Sequence, residues 1–500
     1  MHLNPERIPV IVGVGQVNDR PDQPGDGLDP VGLMAEALRR AERDGAAGLL
    51  SDCDSLAVVT QIGWPQLNPV EDALCAALAI APAHRDHTPG PNGDGPIKLL
   101  HDAANRIGAG EAAICAVVGG EALRTAGQLA ALKPRTDGAK PNALRDAPHR
   151  KKAGYAQNYG LTLPVDVYPL YENAARSSWG QSLAEGQAES GALWVGMSRV
   201  ASTNAHAWLN EERAAEEVVT PSERNRPIAF PYTKFQVANS SVNQGAGFIV
   251  ASLAEARRRG IAEERLIHIG HGAAAHEDAD FLKRDTYAAS PGMAVSIERT
   301  LELNDVTAAD LDHVELYSCF PCVPKMARRV LDWPADRPIT VFGGLTFGGG
   351  PIGNYMSHAV ASMVERLREN GGKGLLFANG GYATHNHTIL LSSQPTGASF
   401  PQDYDYQAEA DARRGPIPSL DEEYVGPVRI ETYTVHYRRD GTVRMGTVVA
   451  LTPAGERTLA AVPANDRATL DFLSNGRRDP VGSDGLIEAG DGDLRHFRAG

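Results

Sequence analysis

The glycine-rich stretch Phe342–Tyr355, FGGLTFGGGPIGNY, is the feature that most constrains how this chain can fold. Six of its fourteen residues are glycine, so the backbone can take positive φ angles there and can approach a ligand closely. The pattern predicts a buried strand before it, over Val314–Phe320, and an amphipathic helix after it, over Met356–Arg368. Another predicted strand, Leu375–Tyr382, ends in a glycine pair. Such segment ends meet at one edge of an α/β sheet, which indicates the floor of a small-molecule site.

Short apolar segments alternate with amphipathic segments in two parts of the chain. In the first part, the pattern predicts strands over Pro9–Gly15, Leu56–Thr60 and Ala113–Glu121, and helices over Pro30–Arg43, Val70–Ile80 and Ile97–Ile107. In the second part, it predicts strands over Leu266–Gly270, Val314–Phe320, Leu375–Phe377 and His387–Ser392, and a helix over Met293–Leu303. This alternation predicts an α/β fold, a parallel sheet with helices on its faces.

Two other regions depart from the alternating pattern. From Arg124 to about Tyr232 the sequence is first polar and then rich in aromatic residues, with a helix predicted over Gln187–Ala207. An insertion of this length is usually functional or lid-like. Beyond Gln394, two strands with period-two alternation flank the hairpin turn Asp440-Gly441. We predict a separate small β-rich domain there, such as a barrel.

Composition excludes several classes of protein. The formal net charge is −14 and no long basic run is present, so nucleic acid is not expected as a partner. No apolar stretch approaches the roughly 20 residues that span a bilayer, and no signal peptide is apparent at the start. The five cysteines, an odd number, fit a reducing compartment. We therefore expect a cytoplasmic protein.

An ordered set of motifs resembles the thiolase superfamily, and most closely its sterol-carrier-protein-type and thiolase-like branch. The motifs are GAGEAAICAVVGGE (Gly108–Glu121), ANSSVNQGAGFIV (Ala238–Val250), HVELYSCFP (His313–Pro321), GGLTFGGGPIGN (Gly343–Asn354) and FANGGY (Phe377–Tyr382). The resemblance covers about residues 7–393. The remaining part looks like the extra C-terminal domain of the bacterial group called thiolase-like protein type 1.

The resemblance implies a five-layered αβαβα fold of two similar halves with an inserted loop domain. The N-terminal half would comprise residues 1–123 and 233–250, and the loop domain residues 124–232. Residues 251–400 would form the C-terminal half, and residues 401–500 the additional β-rich domain. The implied ligand is coenzyme A (CoA) or an acyl-CoA ester, with no covalently bound cofactor. The resemblance leaves open whether the protein is a monomer or a homodimer.

The residues that carry thiolase chemistry are replaced in this chain. The family's nucleophilic cysteine, at the N-terminus of a buried helix, corresponds to Asn92 or Gly93. The histidine of its Gly-His-Pro motif corresponds to Gly350, and its acid/base cysteine to about Ala378. Since each such loss typically costs orders of magnitude in rate, ordinary thiolase chemistry is not expected.

Other polar residues remain near the implied site as candidates for chemistry. The catalytic candidates are Tyr317, Ser318, Cys319, Asn379, Tyr382 and His385, with Tyr355 as a further tyrosine in the region. The candidates for CoA contact are Lys152, Lys234, Ser240, Gly349, Gly350, Gly380 and Gly381. A tyrosine can donate a proton or stabilise an oxyanion, although a packed ring with a satisfied hydroxyl is at least as common.

Metal binding and redox chemistry are not predicted. Cys319 and Cys322 form a single CxxC motif without a second cysteine pair, so the motif does not indicate a zinc site. His385 and His387 would share one face of a strand, but no third ligand stands at a suitable spacing.

Three functions remain open from the sequence. The first is an acyl-CoA-binding protein, an acyltransferase by resemblance, without ordinary thiolase activity. The second is a carbon–carbon lyase of the retro-aldol type that acts on a CoA ester with a tyrosine donor. The third is a non-catalytic assembly protein that acts through its C-terminal domain.

Overall fold

The fold was analysed in a computed structural model that describes residues 4–132, 154–490 and 494–500. The strands are β1 Pro9–Asn18, β2 Ser55–Val58, β3 His84–His87, β4 Ile114–Ala122, β5 Pro227–Ala229, β6 Tyr232–Thr233, β7 Asn243–Ser252, β8 Ile267–His276, β9 His313–Leu316, β10 Lys373–Gly380, β11 His385–Ser392, β12 Gly426–Tyr437, β13 Val443–Leu451, β14 Arg457–Pro463, β15 Asp484–Ala489 and β16 Arg495–Ala499. The helices are α1 Pro30–Asp44, α2 Glu71–Leu78, α3 Gly95–Ala109, α4 Leu123–Leu132, α5 Tyr155–Asn158, α6 Pro164–Ser178, α7 Leu183–Thr203, α8 Ala215–Val219, α9 Leu253–Arg258, α10 Pro291–Leu303, α11 Cys322–Leu331, α12 Tyr355–Asn370, α13 Gln407–Arg413 and α14 Arg467–Ser474.

Two similar halves meet at the centre of a nine-stranded sheet. The strand order is β3-β2-β4-β7-β1 in the first half and β8-β11-β10-β9 in the second, and β1 pairs with β8. The pairings β2–β3, β2–β4 and β9–β10 are parallel, whereas the others in this sheet are antiparallel. The α/β prediction is confirmed, but the sheet is mixed rather than wholly parallel.

Helices cover both faces of the sheet because its strands are apolar on both sides. In β1, Val10 and Val12 pack with the cluster that includes α1, whereas Ile11 and Val14 pack with the cluster that includes α3 and α12. Helices α3 and α12 also contact each other, and α10 covers β8 and β11. This layering places the N-termini of α3 and α12 in the interior of the molecule.

The C-terminal part forms a closed β-barrel. Strand β12 pairs with β13, β13 with β14, β14 with β16, β16 with β15, and β15 returns to β12. Closure leaves the five strands no open edge within the ring. The predicted β-rich domain is confirmed, and α14 packs on its core.

The barrel is joined to the inserted segment by backbone pairing. Strand β5 adds to β12 through the pair His436–Ala229, and β6 follows β5 in the same sheet. The Thr432 hydroxyl donates to the Leu170 carbonyl oxygen at 2.6 Å, and the Asn173 amide donates to the Tyr433 carbonyl oxygen at 2.9 Å. The barrel therefore lies directly on α6. The predicted domain bounds stay predictions.

Among the described residues, no helix combines the length and the apolar character needed to cross a membrane.

Candidate functional site

The segment that leads into α3 meets the ends of β9 and β10. The Tyr317 amide, just after β9, donates to the Phe377 carbonyl oxygen of β10 at 3.1 Å. A Cβ carbon placed on Gly380, at the end of β10, would lie 2.8 Å from the Gly93 nitrogen. The structure thus brings Tyr317, Asn379 and Gly380 to Asn92-Gly93, the position that the resemblance assigns to the nucleophile.

Tyr317 fills the space in front of Gly93. A Cβ carbon on Gly93 would overlap the Tyr317 hydroxyl and the Asn379 carbonyl oxygen, and it would come within 2.5 Å of Tyr317 Cζ. Real Cβ atoms do not approach other atoms this closely. Tyr317 is buried, and burial raises the pKa of its phenol well above the usual value. Gly93, one of the two positions that the resemblance assigns to the thiolase nucleophile, therefore has no room for a side chain.

The tyrosine that packs against the Tyr317 ring is hydrogen-bonded to a buried carboxyl group. Tyr355 stands edge-on to Tyr317, with ring centroids 5.7 Å apart, and its hydroxyl donates to Glu315 Oε1 at 2.6 Å. Glu315 Oε2 accepts from the Thr340 hydroxyl at 2.8 Å and from the Val341 amide at 2.9 Å. Burial raises the pKa of Glu315 to about 7. These bonds hold Tyr317 and the start of the glycine-rich stretch in one arrangement.

Asn379 is fully engaged by neighbouring groups. Its amide nitrogen donates to Asn386 Oδ1 at 2.9 Å and to the His385 carbonyl oxygen at 3.2 Å. Its Oδ1 accepts from the Tyr168 hydroxyl at 3.1 Å. Because both ends of the amide have partners, Asn379 in this arrangement positions the β10–β11 turn rather than offering a free donor.

Tyr382 faces the inserted segment and is only half-buried. Its hydroxyl donates to the Thr162 carbonyl oxygen at 3.2 Å, and burial raises its pKa. Its own carbonyl oxygen accepts from the Tyr171 hydroxyl and from Arg284, both at 2.9 Å. Of the candidate tyrosines Tyr317, Tyr355 and Tyr382, it alone has partial access to solvent.

The Ser318–Cys319 pair and the cysteine that completes the CxxC motif are buried. Ser318 Oγ accepts from the Leu345 amide at 3.2 Å, and the Cys319 carbonyl oxygen accepts from the Ala238 amide at 3.1 Å. Burial raises the pKa of Cys319 to about 12 and also raises the pKa of Cys322. Both thiols therefore stay protonated at neutral pH, which makes them poor nucleophiles.

The glycine-rich stretch closes over the segment before β7. The Gly350 amide donates to the Asn239 carbonyl oxygen at 2.9 Å, which brings Gly349 and Gly350 close to Ser240 in the chain. Gly349 has φ of +109°, and a Cβ there would overlap the Gln244 amide oxygen. Ser240 therefore lies near these two glycines. Gly381 forms the turn after β10 at φ of +66°.

Three further predicted residues are Ala378, Lys234 and Lys152. Ala378 is buried within β10, opposite His387 of β11. Lys234 is exposed on the segment after β6, and Lys152 lies outside the described residues.

Asp94 is a polar group at the site that the sequence interpretation missed. It is 6% exposed, and its Oδ1 has no hydrogen-bond partner among the described residues. Its charge acts on His276, whose ring packs against that of His385 with centroids 4.9 Å apart. Burial and, next, the neighbouring His385 lower the pKa of His276. The sequence does contain a signal for Asp94. It is an acidic residue that directly follows the predicted nucleophile position and precedes a predicted helix.

Neither a metal-binding group nor a neighbouring cavity adds residues to the candidate site within the described ranges. Within the described ranges, no group of three or more His, Cys, Asp or Glu side chains could hold a metal ion. A cavity of about 490 Å³ lies elsewhere, between α3 and the β2–β3 edge. The charged groups at that cavity pair with one another, as in Lys98–Asp102 at 2.5 Å and Arg106–Asp86 at 3.0 Å.

Comparison with known proteins places the fold. A family model described as the additional C-terminal domain of thiolase-like protein type 1 matches residues 406–492. The crystal structure of a monomeric SCP2-thiolase like protein type 1 from Mycobacterium smegmatis superposes with a TM-score of 0.82 at 28% sequence identity, over 100% of both chains. The chain therefore has a thiolase-like fold, and its residues 406–492 are similar to the additional C-terminal domain of thiolase-like protein type 1.

More distant structures share the fold of this thiolase-like protein. Human mitochondrial 3-ketoacyl-CoA thiolase superposes with a TM-score of 0.59 at 15% identity, over 78% of this chain and 100% of the thiolase. The same enzyme in complex with CoA gives a TM-score of 0.58 at 14% identity, over 79% and 100%. An Ltp2–ChsH2(DUF35) aldolase gives 0.58 at 18% identity, over 78% and 98%. No curated protein matches the sequence of the thiolase-like protein.

Proposed function

We propose that this thiolase-like protein binds a CoA ester on the thiolase scaffold without forming an acyl-enzyme. The observation that carries the proposal is the contact between Gly93 and Tyr317. A nucleophilic side chain cannot be accommodated at Gly93, because the Tyr317 hydroxyl occupies that space. The family's acyl transfer begins with attack by that nucleophile, so the first step has no reacting group in this chain.

The later steps of thiolase chemistry also lack their groups. Gly350 and Ala378 carry no proton donor or base, and both are buried. Asn379 has partners on both ends of its amide. What the site retains is backbone that can approach a ligand, around Gly349 and Gly380, and the N-termini of α3 and α12, whose amides favour an anion or a carbonyl oxygen.

CoA as the ligand is supported by fold likeness and by the predicted motifs. The human thiolase of the same fold is described in complex with CoA. The ligand that we propose for this chain is therefore a CoA ester. Its assignment to the acyltransferases rests on resemblance alone.

Calorimetry and mass spectrometry on the full chain test this function. We expect acetyl-CoA and CoA to bind with similar affinity, and the intact mass to remain unchanged after incubation with acetoacetyl-CoA. An added acyl mass on any residue would contradict the absence of an acyl-enzyme. Absence of binding by both ligands would leave only the assembly role.

A lyase acting on a CoA ester is a second candidate, because Tyr382 is the candidate tyrosine with partial access to solvent. Its hydroxyl donates to the Thr162 carbonyl oxygen at 3.2 Å and would have to leave that bond to act as a proton donor. In a retro-aldol cleavage, a base takes the proton of the hydroxyl beta to the thioester carbonyl, and the bond between the alpha and beta carbons breaks. A proton donor such as Tyr382 would then protonate the enolate. Product analysis with 3-hydroxyacyl-CoA esters tests this, and an unchanged cleavage rate in Tyr382→Phe would exclude Tyr382 as the donor.

A further inference from the structure

Asp94 stands at the N-cap position of α3 but does not cap that helix. An aspartate is common at this position because its carboxylate accepts a hydrogen bond from one of the first amides of the helix. The Asp94 side chain forms no such bond. By contrast, Asp29 at the N-cap of α1 accepts from the Gly32 amide at 2.7 Å. Helix capping therefore does not explain the carboxylate at position 94.

The Asp94 carboxylate is buried without a partner. The residue is 6% exposed, and its Oδ1 has no hydrogen-bond partner within residues 4–132, 154–490 and 494–500. Lys98, one helical turn further along α3, pairs with Asp102 instead, at 2.5 Å. Taking a carboxylate out of water without a donor or a cation is costly. A hydrogen-bond donor supplied by a ligand would offset this cost.

The unpartnered carboxylate lies beside the position that the resemblance assigns to the nucleophile. A Cβ carbon on Gly380 would lie 2.8 Å from the Gly93 nitrogen and 3.2 Å from Asp94 Oδ1, so both atoms face the same end of β10. Asn92, before Gly93, is partly exposed, and Gly381, after Gly380, is exposed. The carboxylate therefore lies close to residues of the candidate site that solvent reaches.

We propose that Asp94 selects an acyl group that carries a hydroxyl, by accepting a hydrogen bond from that hydroxyl. The inference rests on the proposed function, since it takes the ligand to be a CoA ester whose thioester lies at Asn92-Gly93. A carboxylate only accepts hydrogen bonds, so a plain acyl chain leaves it unpaired, and a keto oxygen offers it no proton. A neutral hydroxyl satisfies the carboxylate without burying a second charge. The substrate class is a CoA ester with a hydroxyl at carbon 2 or carbon 3 of the acyl group.

Calorimetry on the full chain tests this selection with four esters of equal chain length. The probes are butyryl-CoA, acetoacetyl-CoA, 2-hydroxybutyryl-CoA and 3-hydroxybutyryl-CoA, with CoA as the reference ligand. We expect one of the hydroxy esters to bind roughly tenfold more tightly than butyryl-CoA and acetoacetyl-CoA, because a hydrogen bond to a charged group contributes about that factor. In Asp94→Asn the amide also donates, so the affinity ratio of that hydroxy ester to acetoacetyl-CoA should fall to roughly one.

Asp29→Asn is the matched control, because it makes the same change at an N-cap whose carboxylate already has a partner. It should leave the affinity ratio as it is in the natural sequence. The melting temperature of Asp94→Asn should be at least that of the natural sequence, because the variant removes an unpaired buried charge. A lower melting temperature, or failure to fold, would show that the carboxylate already has a partner in the folded chain and would overturn the proposal.

The affinities separate this proposal from the proposed function. Equal affinities for the four esters would overturn selection by Asp94, and so would a tenfold preference that survives in Asp94→Asn. If CoA binds and the four esters bind equally, the proposed function stands and only the selection fails. If neither CoA nor any ester binds, the proposed function itself fails, and the selection fails with it.

Discussion

The hydroxyl of Tyr317 occupies the space that a side chain at Gly93 would need, although the two residues are more than 200 positions apart in the chain. Tyr317 follows β9 and Gly93 precedes α3, so the contact joins the two halves of the fold. Under the proposed function, this packed contact stands where a thiolase would have its reactive centre. The consequences for stability and for engineered chemistry can be measured.

Gly93→Ala should be destabilising, by about 3 kcal/mol, because its Cβ would force Tyr317 or the backbone of Asn379 to move. Tyr317→Ala alone should also destabilise, by about 3–5 kcal/mol, because it empties a buried site. The double variant should cost less than the sum, since it removes the overlap with Tyr317, while the overlap with the Asn379 carbonyl oxygen, 2.2 Å from the Cβ, remains. Urea unfolding of the four proteins measures this coupling. Additive effects would show that the two residues are not in steric contact.

Gly93→Cys in the Tyr317→Ala background should be able to form a covalent adduct with a small alkylating reagent. Gly93→Cys with Tyr317 present should react more slowly, or fail to fold, because the sulfur has no space. The position is at the N-terminus of α3, where the helix dipole favours a thiolate. Intact mass spectrometry after brief alkylation compares the two variants. Equal labelling at position 93 would contradict occlusion by Tyr317.

Stability should fall as pH rises from about 4.3 to about 7, and Glu315 should cause part of this fall. Burial raises the pKa of Glu315 to about 7, whereas an unfolded glutamate titrates near ~4.3. Between these values the folded state binds more protons than the unfolded state, so the free energy of unfolding decreases with pH. The full effect for one such group is about 4 kcal/mol. Glu315→Gln should flatten the profile by that amount in urea unfolding between pH 4.5 and 8.

Glu121 is a second buried glutamate with which the pH dependence of the free energy of unfolding can be compared. Burial raises its pKa to about 7 as well, while its carboxylate accepts from the Ile62 amide at 2.7 Å and the Gly63 amide at 3.0 Å. Glu121→Gln should remove a similar share of the slope, and the double variant should remove both. A slope that stays the same in both single variants would contradict the proposed protonation of these groups.

Much of the fold could be predicted because local patterns determine it. Helix α12 was predicted over Met356–Arg368 and lies over Tyr355–Asn370, and the predicted hairpin strands of the barrel correspond to β12 and β13. Their apolar periodicity and the Asp440-Gly441 turn are local signals. Strand β9 is shorter than predicted, since it ends at Leu316 and the apolar residues after it enter the turn into α11.

The contacts that decide the site could not be predicted from the sequence in the same way. The occlusion of Gly93 by Tyr317 and the pairing of β5 with β12 join segments about 200 residues apart. No local periodicity reports which distant segments pair. The burial of Cys319 and the engagement of Asn379 have the same origin, because they depend on α6 and the inserted segment packing over β9 and β10.

Lys325→Met should be strongly destabilising, by about 3–5 kcal/mol, because it leaves a buried carboxylate without its partner. Lys325 is fully buried on α11, and its Nζ lies 2.5 Å from Glu172 Oε1 of α6 and 2.8 Å from the Gly186 carbonyl oxygen. The Tyr232 hydroxyl donates to the other carboxylate oxygen at 2.9 Å. The pair therefore ties α11, next to the candidate site, to the inserted segment. Thermal or urea unfolding measures the loss.

The double variant Lys325→Met/Glu172→Leu should recover most of that stability, because two apolar side chains of similar size remove both charges together. The exposed pair Arg85–Asp72, 2.6 Å apart with an aspartate side chain that is 88% exposed, is the control. Arg85→Met should change the free energy of unfolding by no more than about 1 kcal/mol. Equal losses for Lys325→Met and Arg85→Met would show that the buried pair does not secure the inserted segment. Hydrogen exchange would locate the effect, since only the buried pair should expose α6 and α11 when it is broken.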